Sequence, residues 1–582
     1  MAEMLQDQFC KVFSNPDNPS KLIPPPPSES IPETLDSLVI SDEDISRAIN
    51  ELSPDSAAGE DEFPAQLLKS CKASLLEPIK LIWQDSLDNG YIHPTLKSQL
   101  ICPVFKKGSK ALPENYRPIS LTSHVTKIFE RIIRDKIVSH LESNNLLNDR
   151  QHGFRKKRSC LSELVDHFSE VLDNLSRGHD TDSIYLDFAK AFNKVDHEIL
   201  LKKVHNLGIR VKLYDWIKEF LSERVQKVSV DGIHSEPRNV LSGVPQGTVL
   251  GPILFLIYMN DIDKILMYAS LRSFADDTRI VKKIETLDDV QLLQTDLENV
   301  IKWSSENNMQ LHEDKFEFIQ HNITTNDKEL LNQLPFVQYK QCYKTPDGTL
   351  LCPLSEVRDL GVIVTPQISW MPHIRSIVKK ATKSASWCLS VFRQRDHHTM
   401  LTLYKSLVRS HLEYCCPLWN PHNHMCGIKL LEDVQLSFTE TTAGYNDLCY
   451  WDLLASLHLM SLQRRRERYI IIYMWKILHN LYPNSIQVNW HHNDRLGIRA
   501  ILPPMPKHKS KLLVHENSLA VIGPRLWNCI PMECTLAHNL ESFKKSLQKY
   551  LDLVPDLPPV CNYTTKNSNS LLDWSIDGGR CC

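Results

Sequence analysis

The stretch Ser273-Phe274-Ala275-Asp276-Asp277-Thr278 sets two adjacent carboxylates behind an aromatic and a small residue, with short apolar runs on both sides. Folded as a β-hairpin, it would carry Asp276 and Asp277 at its tip, where their charges can converge on a cation. Adjacent acids mostly sit in solvated turns, so the pair gains its meaning from two segments upstream. Ile184-Tyr185-Leu186-Asp187 reads as a short buried strand ending in an acid, and Phe188 to Phe192 as the start of a helix. Leu241 to Pro252 is a Gly/Pro-rich turn that feeds an apolar helix over Ile253 to Asp261. Carboxylates are the oxygen donors that hold hard divalent cations.

The elements that must position these acids can also be read. Leu100 to Ser109 predicts a strand running into a turn, with Tyr116 to Leu121 as the returning strand. Between Leu121 and Asn145, Ile128, Ile132, Ile133, Ile137 and Leu141 recur at helical spacing and predict a core-facing stripe. Ser41 offers an N-cap, and Asp42, Glu43 and Asp44 an acidic first turn, for a helix through Leu52. Pro64 to Leu87 continues as one amphipathic helix. Residues 1–35, with the run Pro24 to Pro27, read as an extended linker. From Ile374 the pattern is helical again, Ile377, Ala381, Ala385 and Leu389 alternating with Arg375, Lys379, Lys380 and Lys383. Arg464-Arg465-Arg466-Glu467-Arg468 reads as a nucleic-acid contact or an exposed helix face. Cys415, Cys416, His422, His424 and Cys426 lack the paired Cys-x-x-Cys spacing of a zinc site and read as packing. The last twenty residues have a composition that predicts disorder.

At 582 residues, 42% apolar and 24% charged, the chain has the make-up of an ordinary globular protein with room for two to four domains. Its net charge of −3 conceals an uneven distribution. Residues 1–60 hold twelve Asp/Glu against three Lys/Arg, whereas residues 101–160 hold thirteen Lys/Arg against five Asp/Glu. A basic segment beside an acid-lined site suits a protein that holds a nucleic-acid backbone and metal ions separately. Sixteen cysteines without a regular framework, and no basic-then-apolar N-terminus, predict an intracellular protein, nuclear or cytoplasmic, with reduced thiols. No apolar run approaches the roughly 18 residues that span a bilayer, so no membrane partner is expected.

With Asn115-Tyr116-Arg117-Pro118-Ile119-Ser120-Leu121 and Gln151-His152-Gly153-Phe154-Arg155 ahead of them, the three acid and glycine segments stand in the order of a reverse transcriptase. The chain resembles the polymerase of a non-LTR (LINE-type, jockey-like) retrotransposon over roughly residues 95 to 370, and more weakly towards 555. The resemblance implies an α+β right-hand polymerase, fingers–palm–thumb, with an antiparallel palm sheet and an α-helical C-terminal thumb. Residues 1–95 would be a linker and helical extension, 96–370 fingers and palm, 371–480 the thumb, and 481–582 a C-terminal extension.

It further implies RNA-templated DNA synthesis from dNTPs on a DNA primer. Asp187, Asp276 and, less critically, Asp277 would hold two Mg²⁺ ions, with Mn²⁺ as a substitute. Arg117, with Lys106 and Lys107, would meet the triphosphate; Gly243, Pro245, Gln246 and Gly247 would support template and nucleotide; Lys315 would contact phosphate or donate a proton. Phe192 would exclude a ribose 2′-hydroxyl, which disfavours RNA synthesis on RNA. Arg155 to Arg158 would touch the template backbone, and Arg358 to Val362 would form the hairpin that grips the primer. Elements of this type also carry an endonuclease, which the resemblance places upstream of Met1; with His93 the sole histidine before Leu100, no hydrolytic cluster is expected in the first 95 residues. The alternative is a decayed or host-adopted remnant that binds nucleic acid without polymerising.

Overall fold

The structure is a computed structural model, and it describes residues 1–14, 21–24, 33–322, 343–422, 424–441, 448–483, 486–502, 516–560 and 569–573. Most of the Pro24 to Pro27 run and most of the last twenty residues lie outside the described residues. Helix and sheet are mixed, and the chain divides into two compact units built from interleaved segments. One contains Met1–Phe154, Leu186–Thr278 and Leu292–Phe316; the other contains Arg155–Tyr185, Arg279–Gln291 and Glu317–Cys582. The strands Asp180–Leu186 and Asp277–Ile284 each run from one unit into the other, so neither unit corresponds to one continuous block of sequence.

In the first unit the strand Ser98–Phe105 pairs antiparallel with Tyr116–Leu121, in a register running from Leu100↔Leu121 to Phe105↔Tyr116. On its other edge it pairs parallel with Val225–Val230. Beside this sheet lies the helix His124–Ser143, whose stripe Ile128, Ile132, Ile133, Ile137 and Leu141 is fully buried, as its spacing predicts. Phe129 of that helix stacks on Trp83 with centroids 4.6 Å apart and meets Trp216 edge-on at 5.0 Å. Burial of rings this large dominates local packing, at about 2–3 kcal/mol each.

Two expectations are corrected here. Residues 1–14 are not an extended linker, because Ala2–Cys10 is a helix whose Leu5 and Phe9 pack on Ile101 and Val228 of the sheet. Ser14 N donates to Ser242 Oγ at 2.8 Å, and Lys21 pairs with Asp196 at 3.0 Å, so these two residues are also tied to the unit. Nor is Pro64 to Leu87 one helix. It is two, Ala65–Ser70 and Lys72–Asn89, interrupted at Cys71, whose backbone leaves the helical basin. The Ser41 cap forms as predicted, with a reciprocal bond between Ser41 and Asp44.

The second unit contains the antiparallel pair Asp180–Leu186 and Glu317–His321, the hairpin Val357–Asp359 and Val362–Val364, and a large helical array. Met371–Val391 buries Ile377, Ala381 and Ala385 as the pattern predicts. Here the Arg464–Arg468 reading fails on both of its options. Arg464, Arg466 and Glu467 are buried, with Arg464 donating to the carbonyls of Pro555 and Asn569 at 3.0 Å and Arg466 Nε to Asn420 Oδ1 at 3.0 Å. The helix Leu462–Leu478 is buried on nearly every face, so its arginines serve internal carbonyls and carboxylates. The C-terminal stretch contributes core as well: Trp527 and Phe543 are fully buried and stack at 5.9 Å.

Candidate active site

Asp187, Asp276, Asp277, Arg117, Lys106, Lys107, Phe192, Lys315 and the Gly-rich turn all fall in the first unit, whereas Arg155 to Arg158 and Arg358 to Val362 fall in the second. Asp187 follows the last residue of its strand, and its backbone carbonyl accepts from His312 N at 2.8 Å. Ala189 N in turn donates to Gln310 O at 2.8 Å, and Phe188 bridges to Leu311. This local pairing delivers Lys315 to Asp187, with Nζ 2.7 Å from Oδ2. Asp276 lies in the turn between the strands Ser270–Phe274 and Asp277–Ile284, as a hairpin tip requires.

The Asp276 carboxyl is held above its ordinary range, first by burial and also by the negative charge of Asp187. Arg117 and Lys106 act on it in the opposite sense. Lys106 is pushed down by burial and by the like charges of Arg117, Lys107 and Lys315, while Asp187 opposes that shift. Two carboxylates and a set of cations thus act on one another at one place. Arg117 stands opposite Val104 in the strand pair and is exposed, and among the described residues neither it nor Lys106 or Lys107 forms an ion pair.

Asp277 differs from Asp276 in being exposed, and among the described residues no three His, Cys, Asp or Glu side chains converge as a metal cluster. The structure therefore brings together Asp187 and Asp276 and leaves Asp277 at the margin. A pair still fits Mg²⁺, which usually takes one or two carboxylates and completes its shell with water and substrate phosphates. The ammonium of Lys315 on Asp187 shows that the site accepts positive charge.

The backbone around the glycines leaves no room for a side chain. Gly243, at φ +90°, lies so close to the Phe192–Asn193 backbone that a Cβ would come within 2.8 Å of Phe192 O. Gly247, at φ +116°, would place a Cβ 2.4 Å from Ser120 O. Val244 N bonds Phe192 O at 2.8 Å and Ser120 N bonds Gln246 O at 2.6 Å, so the Gly-rich turn links the segment after Asp187 to the strand carrying Arg117. The Gln246 side chain donates to Asn193 Oδ1 at 2.9 Å, and Pro245 is buried, its carbonyl accepting from Thr248 Oγ1 at 3.0 Å. Phe192 is half-buried, stacked on Phe255 at 4.3 Å and edge-on to Phe154 at 5.9 Å, a ring backed by two others.

Sequence reasoning missed Glu130. Fully buried, it accepts from Val249 N at 2.7 Å and Leu250 N at 2.9 Å, fixing the end of the Gly-rich turn where the apolar helix Gly251–Met259 begins. Burial raises its pKa, and the facing Arg224 offsets part of that effect. The signal was present: Glu130 shares a helix face with Thr126, Ile133 and Ile137, and an acid on a buried stripe requires a partner.

A basic strand pair, a backed aromatic ring and two carboxylates thus lie beside a glycine-braced turn. Residues 104–346 match the family model described as reverse transcriptase (RNA-dependent DNA polymerase). Over 445 residues the chain is 25% identical to the RNA-directed DNA polymerase from mobile element jockey of Drosophila funebris, covering 74% of this chain and 47% of that protein. For its Drosophila melanogaster counterpart the figures are 25% over 483 residues, 81% and 50%. The probable RNA-directed DNA polymerase from transposon X-element of Drosophila melanogaster is 25% identical over 385 residues, 65% of this chain and 41% of that protein. The chain spans about half the length of these curated relatives. Among the described residues no helix is long and apolar enough to cross a membrane.

Proposed function

We propose that this chain is the polymerase portion of a non-LTR retrotransposon protein, extending a DNA primer on an RNA template from dNTPs. The observation that carries the reading is the mutual influence of Asp187 and Asp276 with Arg117, Lys106 and Lys315 in one unit. In this reading residues 96–370 are fingers and palm, 371–480 a helical thumb and 481–582 an extension, and Asp187 and Asp276, assisted by Asp277, hold two Mg²⁺ ions or Mn²⁺ in their place. Such ions would supply acidity to the primer 3′-hydroxyl and charge neutralisation to the departing pyrophosphate.

The chain's own groups do the rest. Arg117 grips the triphosphate through its planar fork, with Lys106 and Lys107 as point charges beside it. Lys315, paired with Asp187 here, would be free to contact phosphate if that carboxylate held a cation. The Gly-rich turn keeps Phe192 and the Arg117 strand in fixed relation, and the ring of Phe192, unable to retreat from Phe255, blocks a 2′-hydroxyl.

Primer extension on an RNA template with Mg²⁺ tests this directly. Wild-type protein should incorporate deoxynucleotides, and Phe192→Val should raise ribonucleotide use relative to deoxynucleotide use by about 10–100-fold, the effect of one well-placed steric contact. Template binding without incorporation by the wild type would favour the non-catalytic remnant instead.

A further inference from the structure

The tip that carries Asp276 is strained. Ala275, the residue before it, has φ +60°, a left-handed backbone that is unfavourable for a non-glycine residue and persists only where its surroundings hold it. What holds it is a single side chain. Gln151 is buried, and its carboxamide takes both backbone groups of Ala275: Ala275 N donates to Oε1 at 2.8 Å, and Nε2 donates to Ala275 O at 3.1 Å. The same Oε1 accepts from Gly153 N at 2.8 Å, which fixes the amide's orientation, since the oxygen faces two donors and the nitrogen an acceptor.

The main chain reinforces the clamp. His152 N donates to Ser273 O at 2.9 Å, and Ser273 N to Arg150 O at 3.2 Å. Gly153 lies against the turn so closely that a Cβ would fall 2.3 Å from Ala275 N. The loop before Gln151 is itself anchored by Asn260, at the end of the apolar helix Gly251–Met259. Asn148 N donates to Asn260 Oδ1 at 2.8 Å, and Asn260 Nδ2 to Leu146 O at 2.7 Å. A chain of hydrogen bonds therefore runs from the helix after the Gly-rich turn, through Gln151, to the backbone that aims Asp276.

We propose that Gln151 is a positioning residue that holds the Ala275–Asp276 turn in its strained form and so sets the Asp276 carboxylate for its cation. The proposal rests on the polymerase reading of the same site. Gln151 acts through Ala275, to which its carboxamide is bound. Side chains that orient a metal-binding carboxylate typically contribute 10–100-fold to metal affinity or activity.

The test compares wild type, Gln151→Met, Gln151→Glu and Asp276→Asn in full-length protein. Three quantities are read: the melting temperature, Mn²⁺ binding followed by the free-ion electron paramagnetic resonance signal, and kcat and KM for dNTP on an RNA template. Gln151→Met keeps volume but removes all three bonds; Gln151→Glu keeps the two accepted bonds and sets a carboxylate oxygen against Ala275 O. Both should bind Mn²⁺ about 10-fold or more weakly and lose kcat in step, with KM for dNTP little changed. Wild-type Mn²⁺ affinity in either folded variant overturns the proposal, as does a loss of activity that merely tracks a lowered melting temperature. Should Gln151→Met not fold, Gln151→Glu decides alone. Incorporation that survives in Asp276→Asn would instead defeat the polymerase reading, an outcome separable from the fate of Gln151.

Discussion

Charged residues are deployed in opposite ways at the candidate site of the first unit and in the core of the second. In the first, Arg117, Lys106, Lys107 and the carboxylates Asp187 and Asp276 gather where substrate phosphates and cations could complete their partnerships, and Lys315 occupies Asp187 meanwhile. In the second, charges are consumed internally. Arg279 is buried between Glu163 and Asp359, with Asp359 also accepting from Tyr185 at 3.1 Å. Arg465 pairs with Glu413, and the buried Glu432 accepts from Gln463 N at 2.6 Å and Tyr450 OH at 2.9 Å. The difference teaches that residue type does not separate a binding site from a core. What separates them is whether the protein itself supplies the partner.

The comparison breaks hardest at the acids. Asp276→Asn and Asp187→Asn should each cut nucleotide incorporation by about 10³-fold or more, because an amide keeps the shape and loses the charge. The melting temperature should stay within a few degrees or rise, since burial and Asp187 already press on the Asp276 carboxylate. Residual extension above about one per cent of wild type would place the chemistry elsewhere.

Arg279→Met should do the reverse, destabilising the protein by roughly 3–5 kcal/mol, because Glu163 and Asp359 are left buried without their cation. Urea denaturation checks this. A loss below 1 kcal/mol would show that the triad is not the closed network described.

A third difference concerns pH. His373 is buried, its Nδ1 accepts from Ile363 N at 3.2 Å, and burial first, then the charges of Arg358 and Lys380, pushes its pKa down to about 4. Its folded value lies below its ordinary one near 6.5, so the unfolded chain takes up the proton first. Stability should therefore be lost as pH falls from about 6.5 towards 4, by roughly 3 kcal/mol from this group. Asp182 and Glu432, both pushed up to about 7 chiefly by burial, act in the opposite direction over part of that range. His373→Asn, which keeps an acceptor near Ile363 N without titrating, isolates the histidine. Its melting temperature should fall less between pH 7 and pH 4.5 than that of wild type.

The smallest effect is expected at Arg117. Arg117→Ala should raise KM for dNTP by about 10-fold, the worth of one charge-assisted contact, and leave denaturant stability unchanged. A stability loss comparable to that of Arg279→Met would erase the contrast between the two kinds of arginine.

The sequence by itself determined the parts whose signals are local. Periodicity placed the buried stripe Ile128 to Leu141, Ser41 announced its helix, and the order of Asp187, the Gly-rich turn and Asp276-Asp277 indicated the reverse transcriptase domain. The roles proposed for Phe192 and Arg117 rest on that order alone, because they depend on a partner the chain does not contain. Tertiary structure decided what depends on contacts between distant segments. Arginines 464 and 466 are buried because Pro555, Asn569 and Asn420 come to meet them, which no charge count along the helix could show. The first fourteen residues dock because Leu5 and Phe9 find Ile101 and Val228, about a hundred residues and more away. Asp276 and Asp277, adjacent and identical in sequence, are distinguished only in the folded turn, where the first is half-buried and the second exposed.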